Sequence, residues 1–373
     1  MPIFYIVIIL VQLVFFGQSQ KIRGGKAYEL FGITITSILL SMRTGVGADL
    51  ATYQRRYEII KNGYVPLVEF REIGYRFFEH FLAELGVPFY IFLFIISFFN
   101  LHTYYKFVKS QGLKNPTFAL FIYLGLFELF IYSLSAIRQS IAISFVLLAI
   151  IAFSESRKKT SVFFLLLATA FHWTAIFMFP AILILGEKKV MKAWTLLILI
   201  GLVPSIYYLS MNSSFIVGKL SSVNYNMNYY LSLLEDERST SFLSFIIGLS
   251  LALIWVFYKL LFMRTTGNGT KLLVRKVKNL SVNIEMTFVD WFVLIFLLLH
   301  ACVDLIYVSA IPRLEMYFYM LLPIFIAKEL EKMNSGMRIL TNFMITFAVL
   351  IQLYLKIQAN SFFYGDASFI FPF

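Results

Sequence analysis

The stretch IYSLSAIRQSIAISFVLLAI, residues 131–150, decides the fold class of this protein. It is apolar enough to lie in a bilayer, yet Arg138 and Gln139 stand near its middle. A charged side chain inside an apolar segment costs about 2.5–3.5 kcal/mol on insertion scales, so a functional role is the default interpretation of Arg138. The alternative is a structural ion pair with a carboxylate such as Glu128 or Asp304.

The rest of the chain has the same apolar character. Of 373 residues, 60% are hydrophobic and only 14% are charged, and the mean hydropathy is +0.80. Apolar runs of about 20 residues, the length that crosses a bilayer, recur from end to end. Because helices satisfy their own backbone hydrogen bonds in lipid, we predict an all-α polytopic membrane protein. We expect about 10–12 transmembrane or re-entrant helices in a single domain of residues 1–373, with the first apolar run retained as a helix.

The net charge of +12 follows the pattern expected of membrane topology. The positive-inside rule places the basic loops in the cytoplasm. These loops lie at residues 21–26, 106–114, 157–159, 188–192, 259–278 and 328–338. Two other loops, at about 43–87 and 212–240, carry mixed charge, so we place them outside. No soluble basic groove is present in the sequence, so nucleic acid is not expected as a partner.

The alternation of inner and outer loops predicts the crossings. They are expected near residues 3–16, 27–42, 88–106, 116–135, 139–154, 190–210, 241–263, 287–309, 312–327 and 337–357. This topology places Arg138 at an outer turn between two of them. Residues 72–86, EIGYRFFEHFLAELG, carry apolar side chains at helical spacing with charges between them. That pattern predicts a helix lying on the outer interface.

Residues 161–185 lie between two basic loops, and the positive-inside rule places both loops in the cytoplasm. A re-entrant hairpin that turns near Phe171, His172 and Trp173 satisfies both loops, and one ordinary crossing is the alternative. In either case His172 is a polar residue that lies deep in the membrane. Imidazole titrates near neutral pH, so His172 is a candidate base, and a hydrogen-bonded structural histidine is the other interpretation.

Further charged residues are predicted at the outer surface. In IPRLEMYFYMLLP, residues 311–323, Pro312 fits a helix start, and it is followed by Arg313. The loop opening SMRTGVGADLATYQRRYE, residues 41–58, adds Arg43 and Asp49. Guanidinium forks bind phosphate in a bidentate manner, so several arginines beside lipid predict a lipid-linked phosphate as ligand. The sequence contains no nucleotide-binding fingerprint and no Cys/His cluster, so we expect neither a cofactor nor a metal.

Several short motifs occur in an order that points to a known family. The segments RTGVGADLATYQRRYE, EIGYRFF, AIRQSIAISFVLLAI, FHWTAIFMFP and RLEMYFYMLLP together resemble the EpsG-like branch of Wzy-type O-antigen and capsular polysaccharide polymerases. The resemblance covers about residues 43–320. It rests on the order and membrane placement of the motifs rather than on any one of them.

The resemblance implies a GT-C-like architecture and a metal-independent glycosyltransferase in the bacterial inner membrane, with its site facing the periplasm or outer surface. Such an enzyme moves a growing glycan from undecaprenyl diphosphate to the terminal sugar of the next lipid-linked repeat unit. A flippase and a chain-length regulator are the expected protein partners. Asp49 or His172 would act as base, and Arg138 would be the further catalytic residue. The lipid diphosphate and glycan would be bound by Arg43, Arg138, Arg313, Arg55, Tyr53, Gln139 and Tyr317.

Two other functions stay open. A flippase or exporter of lipid-linked oligosaccharide would also place arginines in a cavity, although the two halves of the chain show no repeat of the Arg-Gln or Phe-His segments. A membrane acyltransferase would have a histidine beside a carboxylate, which His172 lacks in the sequence. His300 and Asp304, four residues apart on one helix face, keep that option open.

Overall fold

The computed structural model describes part of the chain. The described residues are 2–22, 25–43, 49–63, 72–183, 190–192, 250–251, 254, 283–285, 287–303 and 310–359. The chain divides into two compact units, Met1–Ile182 with Leu322–Phe373, and Leu183–Leu321. Most of the predicted crossings at 190–210 and 241–263, and all of the outer loop at 212–240, lie outside the described residues. The single membrane domain stays a prediction.

Helices make up nearly all of the described structure. In chain order the elements are α1 (Pro2–Lys21), α2 (Lys26–Ser41), α3 (Leu50–Lys61), α4 (Ile73–Glu84), α5 (Phe89–Ser110), α6 (Pro116–Gly125), α7 (Ile137–Ser154), α8 (Lys158–Phe171), α9 (Met178–Leu183), β1 (Val190–Lys192), β2 (Asn283–Glu285), α10 (Phe288–Val303), α11 (Ala310–Tyr319), α12 (Leu322–Glu331) and α13 (Ser335–Ala359). Short 3₁₀ helices at Tyr132–Leu134 and Trp173–Phe177 precede α7 and α9. The two strands pair antiparallel, with Val190 opposite Glu285.

The predicted membrane character is confirmed. Among the described residues, three helices are long and apolar enough to cross a bilayer, and these are α5, α7 and α13. Shorter apolar helices lie at Tyr5–Lys21, Pro116–Gly125, Trp173–Leu183 and Phe288–His300. The total of 10–12 crossings and the GT-C-like architecture stay predictions.

The first unit is organised around α7. This helix packs against α5 on one side and α8 on the other, and most of its side chains are buried. By contrast, α13 is largely exposed within the unit, and its apolar side chains face outward. That difference is expected of an interior helix and a lipid-facing helix in a membrane protein.

Two segments predicted as crossings are each interrupted in the structure. The segment predicted at 116–135 stops being helical at Gly125, where the next residue, Leu126, is extended. A Cβ at Gly125 would lie 2.4 Å from Val349 Cγ1, so the glycine lets α13 approach the end of α6 closely. The segment predicted at 312–327 is likewise two helices, α11 and α12, and Pro323 falls in the first turn of α12, where its missing N–H is tolerated.

The helix is interrupted at His172, the place where the hairpin alternative put a turn. The helix α8 ends at Phe171, and His172 follows in an extended conformation with φ −153° and ψ 117°. A 3₁₀ helix and α9 continue the chain. With 14 residues α8 is shorter than the roughly 20 residues of a full crossing. Whether the chain then forms a hairpin depends on residues beyond 183, which lie outside the described part, so the hairpin stays a prediction.

Candidate active site

Arg138 lies in the first turn of α7 and binds two side chains. Its Nε donates a hydrogen bond to the hydroxyl of Tyr53 at 2.9 Å, and its Nη1 donates to the carboxylate of Glu72. The guanidinium carbon also lies 5.5 Å from the centroid of the Tyr53 ring, which is a cation–π distance. A positive charge at a helix N-terminus opposes the helix dipole, so the carboxylate offsets an unfavourable position.

Glu72 connects Arg138 to His172. One carboxylate oxygen, Oε2, accepts from Arg138, and the other, Oε1, contacts His172 Nδ1. The Glu72 side chain is buried, and it stands immediately before α4 with a left-handed backbone, φ 61° and ψ 51°. This conformation costs a non-glycine residue about 1–3 kcal/mol, and such residues cluster at functional sites. The three side chains therefore form one polar cluster, which we call the Arg138–Glu72–His172 cluster.

A close approach of α4 to α8 brings Glu72 and His172 together. Gly74 in α4 lies against Ala170 in α8, and a Cβ on Gly74 would lie 3.0 Å from the Ala170 Cβ and 3.1 Å from the Ala170 backbone. Gly74 is two residues after Glu72, and Ala170 is two residues before His172. A larger side chain at Gly74 would push the helices apart at this point. The glycine of the EIGYRFF motif thus permits the cluster to form.

His172 presents one nitrogen to the carboxylate and has a second that is unsatisfied. Its Nε2 is buried and has no hydrogen-bond partner among the described residues. A carboxylate at Nδ1 fixes the tautomer with the proton on Nδ1, because an ionised carboxylate is only an acceptor. Nε2 then carries a lone pair. This is the arrangement of a general base that a second residue orients.

Glu72 is ionised in this environment. Burial alone would raise the pKa of Glu72, but the hydrogen bond with His172 and the positive charge of Arg138 outweigh burial and lower that pKa below its ordinary value. The cluster therefore contains an ionised, buried carboxylate between the guanidinium of Arg138 and the ring of His172.

Arg43 contacts the protein backbone and a serine, and its predicted support of a diphosphate stays a prediction. It is 3% exposed, and its guanidinium donates to the Leu40 carbonyl at 2.6 Å and to the Leu134 carbonyl at 3.1 Å. A third contact, at 3.3 Å, goes to Ser97 Oγ in α5. These contacts tie the end of α2 to the segment that leads into α7. Arg43 thus holds the backbone just before Arg138.

The remaining predicted residues of the first unit differ in burial and in their contacts. Tyr53 accepts a hydrogen bond from Arg138, as described, and Gln139 is buried next to Arg138 in α7. Asp49 is exposed, and its backbone N–H donates to Ser135 Oγ at 3.4 Å. Arg55 is exposed on α3. Of the two candidate bases, His172 is the one with a carboxylate partner in the described structure.

Two residues of the predicted set belong to the second unit. Arg313 is exposed and Tyr317 is buried, both on α11. In the same unit His300 Nδ1 lies 2.7 Å from Glu315 Oε1, so the described partner of His300 is Glu315. Asp304, its predicted partner, lies outside the described residues.

One of the carboxylates considered as a partner of Arg138 is wrong. Glu128 does not pair with Arg138, because its carboxylate binds Lys356 at 2.8 Å and Gln352 at 2.9 Å. His172 has no carboxylate neighbour in the sequence, as stated above, but the fold supplies one from 100 residues away. Sequence reasoning missed Glu72, because it stands among several charged residues at the start of the EIGYRFF motif, where one more carboxylate carries no local signal.

Exposed apolar side chains flank the cluster on two elements. On α4 the side chains of Ile73, Phe77 and Phe81 are more than half exposed, and the two phenylalanine rings stack at 6.1 Å. Directly after His172, Trp173 and Phe177 are also exposed. The opposite face of α4 is held to α3 by the buried carboxylate of Glu79, which lies 3.0 Å from Arg56 Nε. The amphipathic helix predicted at 72–86 is therefore confirmed, with its apolar face turned away from the protein.

A comparison with protein families matches almost the whole chain. The model of the EpsG family matches residues 26–373, a span that includes every member of the cluster. No curated protein and no solved structure matches the chain.

Proposed function

The chain belongs to the EpsG family, and from this premise we propose that it is a membrane polysaccharide polymerase that extends a glycan carried on undecaprenyl diphosphate. Family membership supports a polysaccharide-polymerase-like function in a membrane, and the apolar helices agree with it. The undecaprenyl diphosphate carrier and the direction of glycan transfer go beyond the family assignment and are part of the proposal. The observation that carries the proposal is the Arg138–Glu72–His172 cluster with its unsatisfied Nε2.

In the proposed reaction, His172 activates the acceptor. Nε2 takes the proton of a sugar hydroxyl on the incoming lipid-linked repeat unit, and the hydroxyl oxygen forms a bond to the anomeric carbon of the growing glycan. The imidazolium that results is stabilised by the Glu72 carboxylate at Nδ1. Glu72 is thus a positioning residue for the base.

The leaving group requires a cation. As the bond from the anomeric carbon to the carrier diphosphate breaks, the electron pair stays on the diphosphate, and its growing negative charge is stabilised by Arg138. An arginine has five N–H donors, more than the contacts with Tyr53 and Glu72 use. Because the leaving diphosphate is already a stable anion, no protonating acid is needed. Arg43 holds the segment before α7 and so fixes Arg138 indirectly, while Arg313 and Arg55 stay proposed ligands of the lipid-linked substrate.

The apolar side chains beside the cluster suit a lipid-linked substrate. Phe77 and Phe81 on α4 and Trp173 after His172 are exposed next to a polar site. A polyprenyl chain would contact these side chains while its diphosphate reaches Arg138. We propose that the cluster faces the periplasm or the outer surface of the inner membrane, because the loops with mixed charge are on that side by the positive-inside rule.

The first experiment deletes the gene in its host and resolves the surface glycan by chain length. The proposal predicts single repeat units on the final acceptor and no long chains. Full complementation is expected from the wild-type gene and from Arg157→Lys, an exposed arginine outside the cluster. Arg138→Lys keeps the charge but loses the bidentate fork, and we expect it to reduce polymer at least about tenfold.

The outcomes separate this function from the alternatives. Normal chain length in the deletion strain contradicts a polymerase. Loss of all exported repeat units, including single ones, would instead indicate a flippase or exporter.

One observation also favours a second candidate, a membrane acyltransferase. The sequence argument against it was that His172 has no carboxylate neighbour, and Glu72 removes that argument. A histidine oriented by a carboxylate can activate a sugar hydroxyl toward an acyl donor as well as toward a glycosyl donor. Arg138 in the same cluster favours the diphosphate. If the deletion strain keeps its chain length and loses only acyl groups from the glycan, the acyltransferase is correct.

A further inference from the structure

A cleft lies at the end of α5 opposite the cluster. It is lined by the start of α6, the end of α12 and the first turns of α13, and its volume is about 280 Å³. The helix α5 has 22 residues and separates this cleft from the Arg138–Glu72–His172 cluster. At 1.5 Å per residue it is about 33 Å long, close to the thickness of a bilayer core. The cleft is therefore a different site, and nothing below depends on the proposed function.

The cleft carries positive charge. Lys114 and Arg338 line it, together with one carboxylate, that of Glu331. The Glu331 Oε1 atom accepts hydrogen bonds from the backbone N–H groups of Lys114 at 2.6 Å and Asn115 at 3.2 Å. This carboxylate is thus engaged in holding the loop before α6. Among the described residues no side chain forms an ion pair with Lys114 or Arg338, so both cations are open to an anionic ligand.

A polar acceptor is also available in the cleft. Asn342 lines it one turn after Arg338, and the Oδ1 atom of Asn342 is buried without a hydrogen-bond partner in the described part of the chain. A buried acceptor without a donor costs about 1–3 kcal/mol. A ligand that brings both a negative charge and a hydroxyl group would satisfy Arg338 and Asn342 together.

The surroundings of the cleft favour a lipid over a soluble anion. On the other face of the same turns of α13, Ile339, Leu340 and Phe343 are each more than 60% exposed. Such a surface belongs in lipid. Phe118 and Leu330 give the cleft itself an apolar wall. A head group bound between Lys114 and Arg338 can therefore continue into an acyl chain that lies beside α13.

We propose that this cleft binds an anionic phospholipid whose head group bears hydroxyls, with its phosphate between Lys114 and Arg338 and a hydroxyl donating to Asn342. Basic pockets between membrane helices on the cytoplasmic side are sites of this kind. The positive-inside rule assigns the cleft to the cytoplasmic leaflet, because Lys114, Lys332 and Arg338 all lie at this end.

The test is native mass spectrometry of the delipidated full-length protein titrated with phosphatidylglycerol, phosphatidylcholine and inorganic phosphate. We expect phosphatidylglycerol to bind more tightly than the other two probes. Arg338→Gln and, as a second variant, Lys114→Gln should each weaken that binding about fivefold. The matched control is Lys159→Gln, an exposed lysine in the first turn of α8, which removes the same charge outside the cleft and should leave the affinity unchanged.

The proposal fails under any of three results. Equal affinity for phosphatidylcholine would show that charge is not recognised. Inorganic phosphate binding as tightly as phosphatidylglycerol would assign the cleft to a soluble anion. An equal loss of affinity in Lys159→Gln and in the two cleft variants would show general surface electrostatics instead of a site.

Discussion

At the scale of single residues, the buried carboxylate of Glu72 serves two partners. It compensates the charge of Arg138 at a helix N-terminus, and it sets the tautomer of His172. The two roles make different demands, since the first needs only a negative charge and the second needs an acceptor at Nδ1. Replacement by glutamine removes the charge while keeping the size, so it separates charge from shape.

Glu72→Gln is expected to lower stability in a pH-dependent way. Because the pKa of Glu72 is lowered in the folded protein, its stabilising contribution is present at neutral pH and is lost as the pH falls through that lowered pKa. The wild type should exceed the variant by about 2 kcal/mol near neutral pH, and the difference should shrink in acid. The measurement is Tm in detergent across this pH range.

The control for that experiment is Glu84→Gln, which removes an exposed carboxylate at the C-terminal end of α4, the helix that follows Glu72. It should change Tm little at any pH. A difference between wild type and Glu72→Gln that stays constant from neutral to acid pH would contradict the ionised, paired state of Glu72.

The sequence predicted some residues of the site and missed another for a physical reason. Arg138 and His172 stand out because each is polar within an apolar run, and insertion cost marks such residues. Glu72 lies in a segment with several charges, where one more carboxylate carries no local signal. Its partners are 66 and 100 residues away, and only the packing of α3, α4, α7 and α8 brings them together.

At the scale of elements, the site depends on how closely α4 and α8 pack. Gly74 is in contact with Ala170, and any Cβ at Gly74 requires the neighbouring chain to move by a few tenths of an ångström. The contact is two residues from both Glu72 and His172. A small displacement of these helices therefore changes the geometry of the cluster directly.

Gly74→Ala should strongly reduce the length of the glycan while lowering the Tm of the protein only moderately. Overpacking of this kind costs about 1–3 kcal/mol, and the shift also separates Glu72 from His172. Ala170→Gly, combined with Gly74→Ala, should restore polymer only in part, because it removes the opposing methyl group but leaves the Ala170 backbone 3.1 Å from the new Cβ. Polymer length and Tm are measured side by side for the single and double variants.

A second glycine provides the control for this contact. Gly17 in α1 has nothing within 4 Å of where its Cβ would lie, so Gly17→Ala should be neutral or stabilising by up to about 1 kcal/mol. If Gly74→Ala and Gly17→Ala behave alike, the close approach of α4 and α8 is not required.

Helix positions were more predictable than helix breaks. Hydrophobic periodicity and charged flanks place α2, α4, α7 and α13 to within a few residues of the structure. The breaks after Gly125 and between α11 and α12 fall inside continuous apolar runs. Hydropathy cannot distinguish a continuous helix from a broken one there, because tertiary contacts such as Gly125 with Val349 determine where the chain turns.

At the scale of the whole molecule, the cluster and the basic cleft should lie on opposite sides of the membrane. This follows from the length of α5 and from the charge of the loops. Cysteine labelling tests it, because the chain has one native cysteine, Cys302, which a serine can replace. Glu84→Cys marks the cluster side and Lys159→Cys marks the basic side, and both positions are exposed.

In right-side-out vesicles, a membrane-impermeant maleimide should label Glu84→Cys and should label Lys159→Cys only after permeabilisation. Labelling of both variants without permeabilisation, or of Lys159→Cys alone, would contradict the topology.

The central claim is that His172, oriented by Glu72, is the base of glycan chain extension. His172→Asn tests it most directly, since the asparagine amide can still donate to Glu72 but has no basic nitrogen. The measurement is the chain-length distribution of the surface glycan in the deletion strain that carries this variant at wild-type membrane levels. We predict single repeat units without long chains, and a glycan of wild-type length would contradict the account.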